Sequence, residues 1–145
     1  MFNIYLSGSI TGVKSRNEVL NRFYLKEIFE DNSNVYKYKY KVDVFNPIEH
    51  FNYIDKTNYK NEKQIMRYEL DRLRKSDLVI VDFHNPNSLG TMAELAIAFE
   101  HKIPIIGFNP RIQELHPWII EMCDVIFDFN ELSELTEYVQ NNYLM

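Results

Sequence analysis

Ser76-Asp77-Leu78-Val79-Ile80-Val81-Asp82 is the stretch on which the fold turns. Its four central residues are all branched and apolar, and an acid closes each end. Such a run has no polar face to offer water, so it reads as a short strand buried on both sides, at the centre of a parallel sheet. Working outward, helical spacing precedes it at 62–75, and a loop at 84–90 leads into a second helix at 91–101. Further strands are predicted at 4–10, 38–45, 103–108 and 125–129, with helices at 17–31 and 131–142. Asn46-Pro47 stops the second strand, and residues 50–61 form a polar, aromatic stretch without periodicity, of the kind that often serves as a lid or substrate wall. Strands alternating with helices predict an α/β, flavodoxin-like (Rossmann-like) five-stranded parallel sheet with helices on both faces, in one domain over residues 1–145. Ligands of such sheets bind beyond the C-terminal strand ends, here the loops after Ile10, Phe45, Phe83 and Phe108.

Composition narrows the partners. The 145 residues, 46% apolar, suffice for one core. No apolar run is long enough to span a bilayer, and no basic-then-apolar leader opens the chain, so a cytoplasmic protein without membrane contact is expected. The single cysteine, Cys123, forms no internal disulfide and excludes a multi-cysteine zinc site. His50, His84, His101 and His116 show no ligand spacing, so no metal and no cofactor is expected. A net charge of −5 disfavours nucleic acid and points to small ligands. The tract Tyr36-Lys37-Tyr38-Lys39-Tyr40-Lys41 interleaves aromatics with lysines as single-strand binders do, but strict alternation is also the period of a half-buried strand, the reading preferred here.

Met92-Ala93-Glu94-Leu95-Ala96-Ile97-Ala98-Phe99 is apolar on every side of its helix except for one carboxylate. A helix apolar all round is buried, so Glu94 is expected in its first turn, away from bulk water. Thr91 and Glu94 also have the Thr-x-x-Glu spacing of a capping box, a local role that stays open beside the chemical one. In the preceding helix, Ile65, Met66, Leu70 and Leu73 mark the inward face and Glu69 borders it, whereas Asp71 has basic neighbours and belongs to the surface. Two inward carboxylates near one sheet edge suit glycosyl transfer, one as nucleophile and the other serving the leaving group.

The segment from Ile4 through Tyr5, Gly8 and Ser9 to Gly12 resembles the opening strand and loop of nucleoside 2-deoxyribosyltransferases. So do the Ser76–Asp82 strand and the block Ser88-Leu89-Gly90-Thr91-Met92-Ala93-Glu94-Leu95-Ala96-Ile97-Ala98, in the family's order and spacing from residue 4 to about 108. The resemblance implies that Glu94 is the nucleophile that forms a covalent sugar ester. It implies that Glu69, where the family usually has aspartate, helps protonate the base, and that Tyr5 hydrogen-bonds near the nucleophile. Gly8, Ser9, Ser88 and Gly90 fall in the substrate-binding loops. Asp124 resembles residues that relatives insert into a neighbouring subunit's site, implying a homodimer or higher homo-oligomer.

The expected function is therefore a nucleoside 2-deoxyribosyltransferase of nucleotide salvage, moving 2-deoxyribose from a 2′-deoxynucleoside to another nucleobase. A 2′-deoxynucleoside 5′-monophosphate N-glycosidase, passing the sugar to water, is the alternative. Ser88-Leu89-Gly90 resembles the phosphate-holding loop of that branch, at a helix N-terminus suited to an anion. Thr11 stands where that branch has arginine, with Lys14 and Arg16 close by, and an acid such as Asp124 would repel phosphate. From another class, a non-catalytic nucleotide-binding sensor on the same sheet edge would gain nothing from burying two carboxylates beside a ribose. Phosphoribohydrolases share Gly90-Thr91 and Glu94 but carry a double glycine that this chain lacks.

Overall fold

In the computed structural model, residues 1–10, 19–31, 37–50 and 60–145 are described. The elements are β1 (Phe2–Gly8), α1 (Leu20–Glu30), β2 (Val42–Phe45), α2 (Pro47–His50), α3 (Glu62–Arg74), β3 (Leu78–Asp82), α4 (Leu89–Glu100), β4 (Ile105–Asn109), α5 (Pro117–Met122), β5 (Val125–Asp128) and α6 (Leu132–Val139), the last continuing into a π-helical turn (Gln140–Leu144). The strands form a single all-parallel sheet in the order β2-β1-β3-β4-β5, the flavodoxin-like order that the alternation of elements predicts. Every residue of β3 is buried, which is why its sequence has no polar face.

The sheet divides two cores by the two-residue period of its strands. Ile4 and Leu6 of β1 with Leu78 and Ile80 of β3 pack against Leu25 and Phe29 of α1 and Leu135 and Val139 of α6. Tyr5 with Val79 and Val81 faces the other way, onto Leu73 of α3, Leu95 and Ala98 of α4 and Ile119 of α5. Cys123 is partly buried against this second core. Burial, with the negative charge of Asp124, pushes its thiol up to about 12, so it is no nucleophile near neutral pH.

Several sequence expectations are corrected. The tyrosine–lysine tract is not a strand where it is described: β2 starts only at Val42, and Lys39 N–H donates to the Leu144 carbonyl at 2.7 Å. Tyr38 packs on the α1-side core and its hydroxyl accepts a hydrogen bond from Gln140, while Tyr40 is exposed, so the alternation serves docking of the C-terminal turn rather than a pleat. Tyr36 lies outside the described residues. Helix α4 is not buried all round. Only the face carrying Thr91, Leu95 and Ala98 meets the protein, whereas Leu89, Ala93, Ala96 and Phe99 are exposed, because a helix laid on one side of a sheet covers only one stripe of itself. Met66 likewise points outward, at 53% exposure, leaving Ile65, Leu70 and Leu73 as the inward face of α3. The helices α2 and α5 were not anticipated; both are short and open with proline in their first turn, too brief to show a period. No described helix is long and apolar enough to cross a membrane.

Candidate active site

The C-terminal ends of β1 and β3 lie side by side, Ser7 opposite Val81 and Gly8 opposite Asp82. Alternation sends Tyr5 and Ser7 toward α4, and Gly8 and Asp82 toward α1. Glu94 approaches this edge from α4. Ser88 is the N-cap of that helix, its side-chain oxygen accepting from Thr91 N–H at 3.4 Å. Thr91 is thus inside the first turn and Glu94 one turn further on, so the Thr91–Glu94 capping box does not form. The true cap lies three residues upstream of the one read from the sequence, and Glu94 is left free of capping duty.

The Glu94 residue is half-buried, but its Oε2 atom is fully buried and has no hydrogen-bond partner among the described residues. Its proton affinity follows from that position. Burial pushes the carboxyl pKa up to about 8; the Tyr5 hydroxyl opposes the rise, the Glu69 carboxylate adds to it, and Ser7 and Arg22 oppose it. Desolvation wins because the hydroxyls stabilise the anion less than water would.

The expectations for individual residues divide. Glu94, Tyr5 and Glu69 are brought together: Tyr5 is fully buried with its hydroxyl acting on the Glu94 carboxyl, and half-buried Glu69 is close enough for its charge to be felt there. Asp71 is exposed and pairs with Lys75 at 2.9 Å, as the helical phase predicts. Gly8 and Ser9 are buried at the end of β1, and Ser9 presents its carbonyl to Arg22 at 2.7 Å. Ser88 and Gly90 sit at the exposed start of α4, Gly90 with open space over its α-carbon. Asp124 is not brought to this edge. It precedes β5, and its Oδ2 accepts from the N–H of Ile105, the first residue of β4, at 2.8 Å, which places it at the opposite end of the sheet in a strand-pairing role. Thr11, Gly12, Lys14, Arg16, Phe51, Tyr53 and Tyr59 lie outside the described residues.

Four residues here escaped the sequence reading. Ser7 could have been found from Tyr5, two residues away on the same face. Arg22 could not, since an arginine in an amphipathic helix reads as solvated, yet it is 1% exposed, with Nε 3.6 Å from Asp82 Oδ2. Asp82 had been taken only as the strand's boundary; burial raises its proton affinity, opposed by Arg22, His84 and Arg111 and by the backbone N–H of His84. Asn46 had been taken as a strand stop. It is buried at the end of β2, and neither side-chain amide atom has a partner among the described residues; the same holds for Thr91 Oγ1.

Beside Asn46 runs an aromatic wall. Phe45 touches the rings of Tyr5, His50 and Tyr68 at centroid distances of 5.4, 5.3 and 5.8 Å. His50 stacks on Tyr68 at 4.8 Å, and Arg72 lies over Phe45. Burial, then the Arg72 charge, lowers the proton affinity of His50, so the ring is neutral near pH 7. Carboxylates, hydroxyls and a flat apolar wall thus meet at one sheet edge.

The family profile described as nucleoside 2-deoxyribosyltransferase matches residues 4–141. Among solved structures, the fold is similar to a 2-deoxyribosyltransferase from Bacillus psychrosaccharolyticus (TM-score 0.71, 15% identity, 94% of this chain and 91% of that one). It is also similar to a 2-desoxiribosyltransferase from Leishmania mexicana (TM-score 0.64, 15% identity, 99% and 100%). A third is the CMP N-glycosidase BcmB of Clostridium botulinum (TM-score 0.62, 15% identity, 96% and 98%). No curated sequence matches the chain.

Proposed function

Because this chain belongs to the nucleoside 2-deoxyribosyltransferase family, whose members are N-glycosyl transferases and N-glycosidases, we propose that it moves 2-deoxyribose from a deoxynucleoside to a second nucleobase. The observation that carries this reading is the Glu94 carboxyl, its Oε2 buried at the sheet edge, where the Tyr5 and Ser7 hydroxyls and the Glu69 charge bear on its ionisation. In the reaction, an oxygen of the Glu94 carboxylate attacks the anomeric carbon as the glycosidic C–N bond breaks. The bonding pair leaves with the base, which takes up the proton that Glu94 gives up on ionising, relayed through the Glu69 carboxylate. Positive charge growing on the sugar favours the anionic form of Glu94, so the site stabilises the transition state more than the resting state. An acceptor base then attacks the sugar ester and regenerates Glu94.

Two further features fit a nucleoside. The buried amide of Asn46, unpartnered among the described residues, offers N–H donors and an acceptor oxygen to a polar edge, and the wall of His50 and Tyr68 suits a flat base. Substrates and acceptors are thus small nucleosides, nucleotides and nucleobases. The exposed apolar faces of α4 and α5, with Leu89, Phe99, Trp118 and Ile120, support a homo-oligomer, testable by light scattering.

A second reading, hydrolysis of a 2′-deoxynucleoside 5′-monophosphate, is favoured by Ser88 at the N-cap of α4 beside the open space over Gly90, where a phosphate would meet backbone N–H groups. Chromatography of bases released from deoxynucleosides, ribonucleosides and their monophosphates, with and without a free acceptor base, separates the readings. Base exchange that outpaces water attack is the expected outcome. Monophosphates cleaved much faster than nucleosides, with no exchange, would establish the second reading. Ligand binding without turnover would leave a nucleotide sensor.

A further inference from the structure

Phe45, at the end of β2, is gripped from α3. Its ring lies 5.8 Å from that of Tyr68, and the guanidinium carbon of Arg72, one helical turn further along, stands 4.7 Å from its centroid. The same guanidinium reaches back along β2, where Arg72 Nη2 donates to Asp43 Oδ2 at 2.8 Å. Strand alternation makes the double contact possible, because Val42 and Val44 turn into the α1-side core and leave Asp43 and Phe45 together on the face that α3 covers. Phe45 also meets Tyr5, its partner in the β1–β2 register, with 5.4 Å between ring centroids. One side chain of α3 therefore ties that helix to the strand pair on which Tyr5 stands.

The tie matters because apolar burial holds α3 mainly near its two ends, at Ile65 and Leu73, whereas Leu70 is only partly buried and Met66, Arg67 and Tyr68 are exposed. Glu69 stands on the turn between them, in a helix that packs beside α4. Little apolar surface opposes a roll of that turn, and a displacement of about 1 Å in a group that serves a leaving base is enough to slow its departure. We propose that Arg72 is a positioning residue: bound to Asp43 and Phe45 at once, it sets where Glu69 stands relative to Tyr5 and the sheet edge. Arginine suits the task because its planar fork can lie over a ring and still donate to a carboxylate, which the point charge of lysine does less well. Partial exposure of both partners limits what the pair contributes to stability, so its removal should tell on geometry more than on folding.

This inference rests on Glu69 serving the leaving base. Single-turnover release of base from deoxynucleosides with good and poor leaving bases reads the C–N cleavage step directly, on protein that melts cooperatively. Arg72→Met, which keeps an apolar stem on Phe45 and loses the fork, is expected to slow a poor leaving base about tenfold and a good one less than about threefold. A merely structural defect would slow both alike. Arg72→Lys, which keeps the charge, should stay within about threefold of the parent on either base. In a Glu69→Gln background, Arg72→Met should change either rate by less than about twofold, because the group it positions is already gone. Should the methionine variant fail to fold, Asp43→Asn removes the anchor from the strand side and is expected to show the same dependence on the leaving base. Equal losses on good and poor bases, a lysine variant as slow as the methionine one, or a loss undiminished in Glu69→Gln overturns the proposal. Failure of the functional reading has a different mark, release of base at the parent's rate by Glu94→Gln or Glu69→Gln.

Discussion

The carboxylate of Glu69 on α3 bears on that of Glu94 on α4 and makes its ionisation harder. Removing the charge of Glu69 should therefore have two effects of opposite sign. Glu69→Gln should move the acidic limb of kcat/KM to lower pH, since Glu94 ionises more readily, and should lower the plateau by ten- to a thousandfold, roughly, because the base loses its proton donor. The loss should be largest for poorly leaving bases. A pH–rate series with bases of graded basicity reads both, and an unchanged limb would place Glu69 outside the site.

Asp71, two residues along the same helix, gives the contrasting expectation. Its pairing with Lys75 is exposed at both ends, so Asp71→Asn should leave activity unchanged and alter stability by less than about 0.5 kcal/mol. Denaturant midpoints and initial rates are sufficient to check this.

The raised proton affinity of Glu94 also makes a stability prediction. Its unfolded value is near 4.5 and its folded value about 8, so between these pH values the native state holds a proton that the unfolded chain has released. The stability contributed by the neutral acid is fully present below the unfolded value and is lost as pH rises through the folded one. Glu94→Gln carries no such linkage. Its melting temperature should gain on that of the parent steadily from pH 5 to pH 8, roughly, in parallel thermal scans. A constant difference across the range would mean that Glu94 is as well solvated folded as unfolded.

Three glycines separate packing from ligand approach. A Cβ on Gly107 would meet Phe83 Cε2 at 2.7 Å and Ile126 at 3.1 Å, so Gly107→Ala should cost about 1–3 kcal/mol of stability. Gly8→Ala should push on the Arg22 guanidinium and cost both stability and activity. Gly90→Ala meets nothing within 4 Å and lies in a helix, so it should stabilise the fold by up to about 1 kcal/mol. If it nonetheless raises KM for monophosphates, the ligand passes over Gly90, whereas equal KM values would leave the start of α4 without a phosphate role.

The sheet was legible because β3 carries its environment in its composition: a strand covered on both faces needs no polar residue, and Leu78–Asp82 has none before its final acid. Glu69 and Asp71 were separable because helical phase alone decides which faces inward. What the sequence hid depended on contacts rather than periods. The cap of α4 fell at Ser88 instead of Thr91 because two serviceable capping residues lie three apart, and only packing of Leu95 and Ala98 selects the start. Exposure of Ala93, Ala96 and Phe99 was unreadable, since an apolar stripe looks the same whether it meets the protein's own sheet or faces outward. Burial of Arg22 and the strand-end bonding of Asp124 both follow from partners distant in sequence.

A Glu94 that bonds to the sugar must carry it as an ester until an acceptor arrives. Intact and peptide mass spectrometry of protein quenched during turnover of a deoxynucleoside, without acceptor base, tests it most directly. A single pentosyl adduct is expected on the peptide containing Glu94, discharged on adding a nucleobase, with neither adduct nor turnover in a Glu94→Gln protein that melts cooperatively. An adduct on another residue, or near-normal base release by Glu94→Gln, would contradict it.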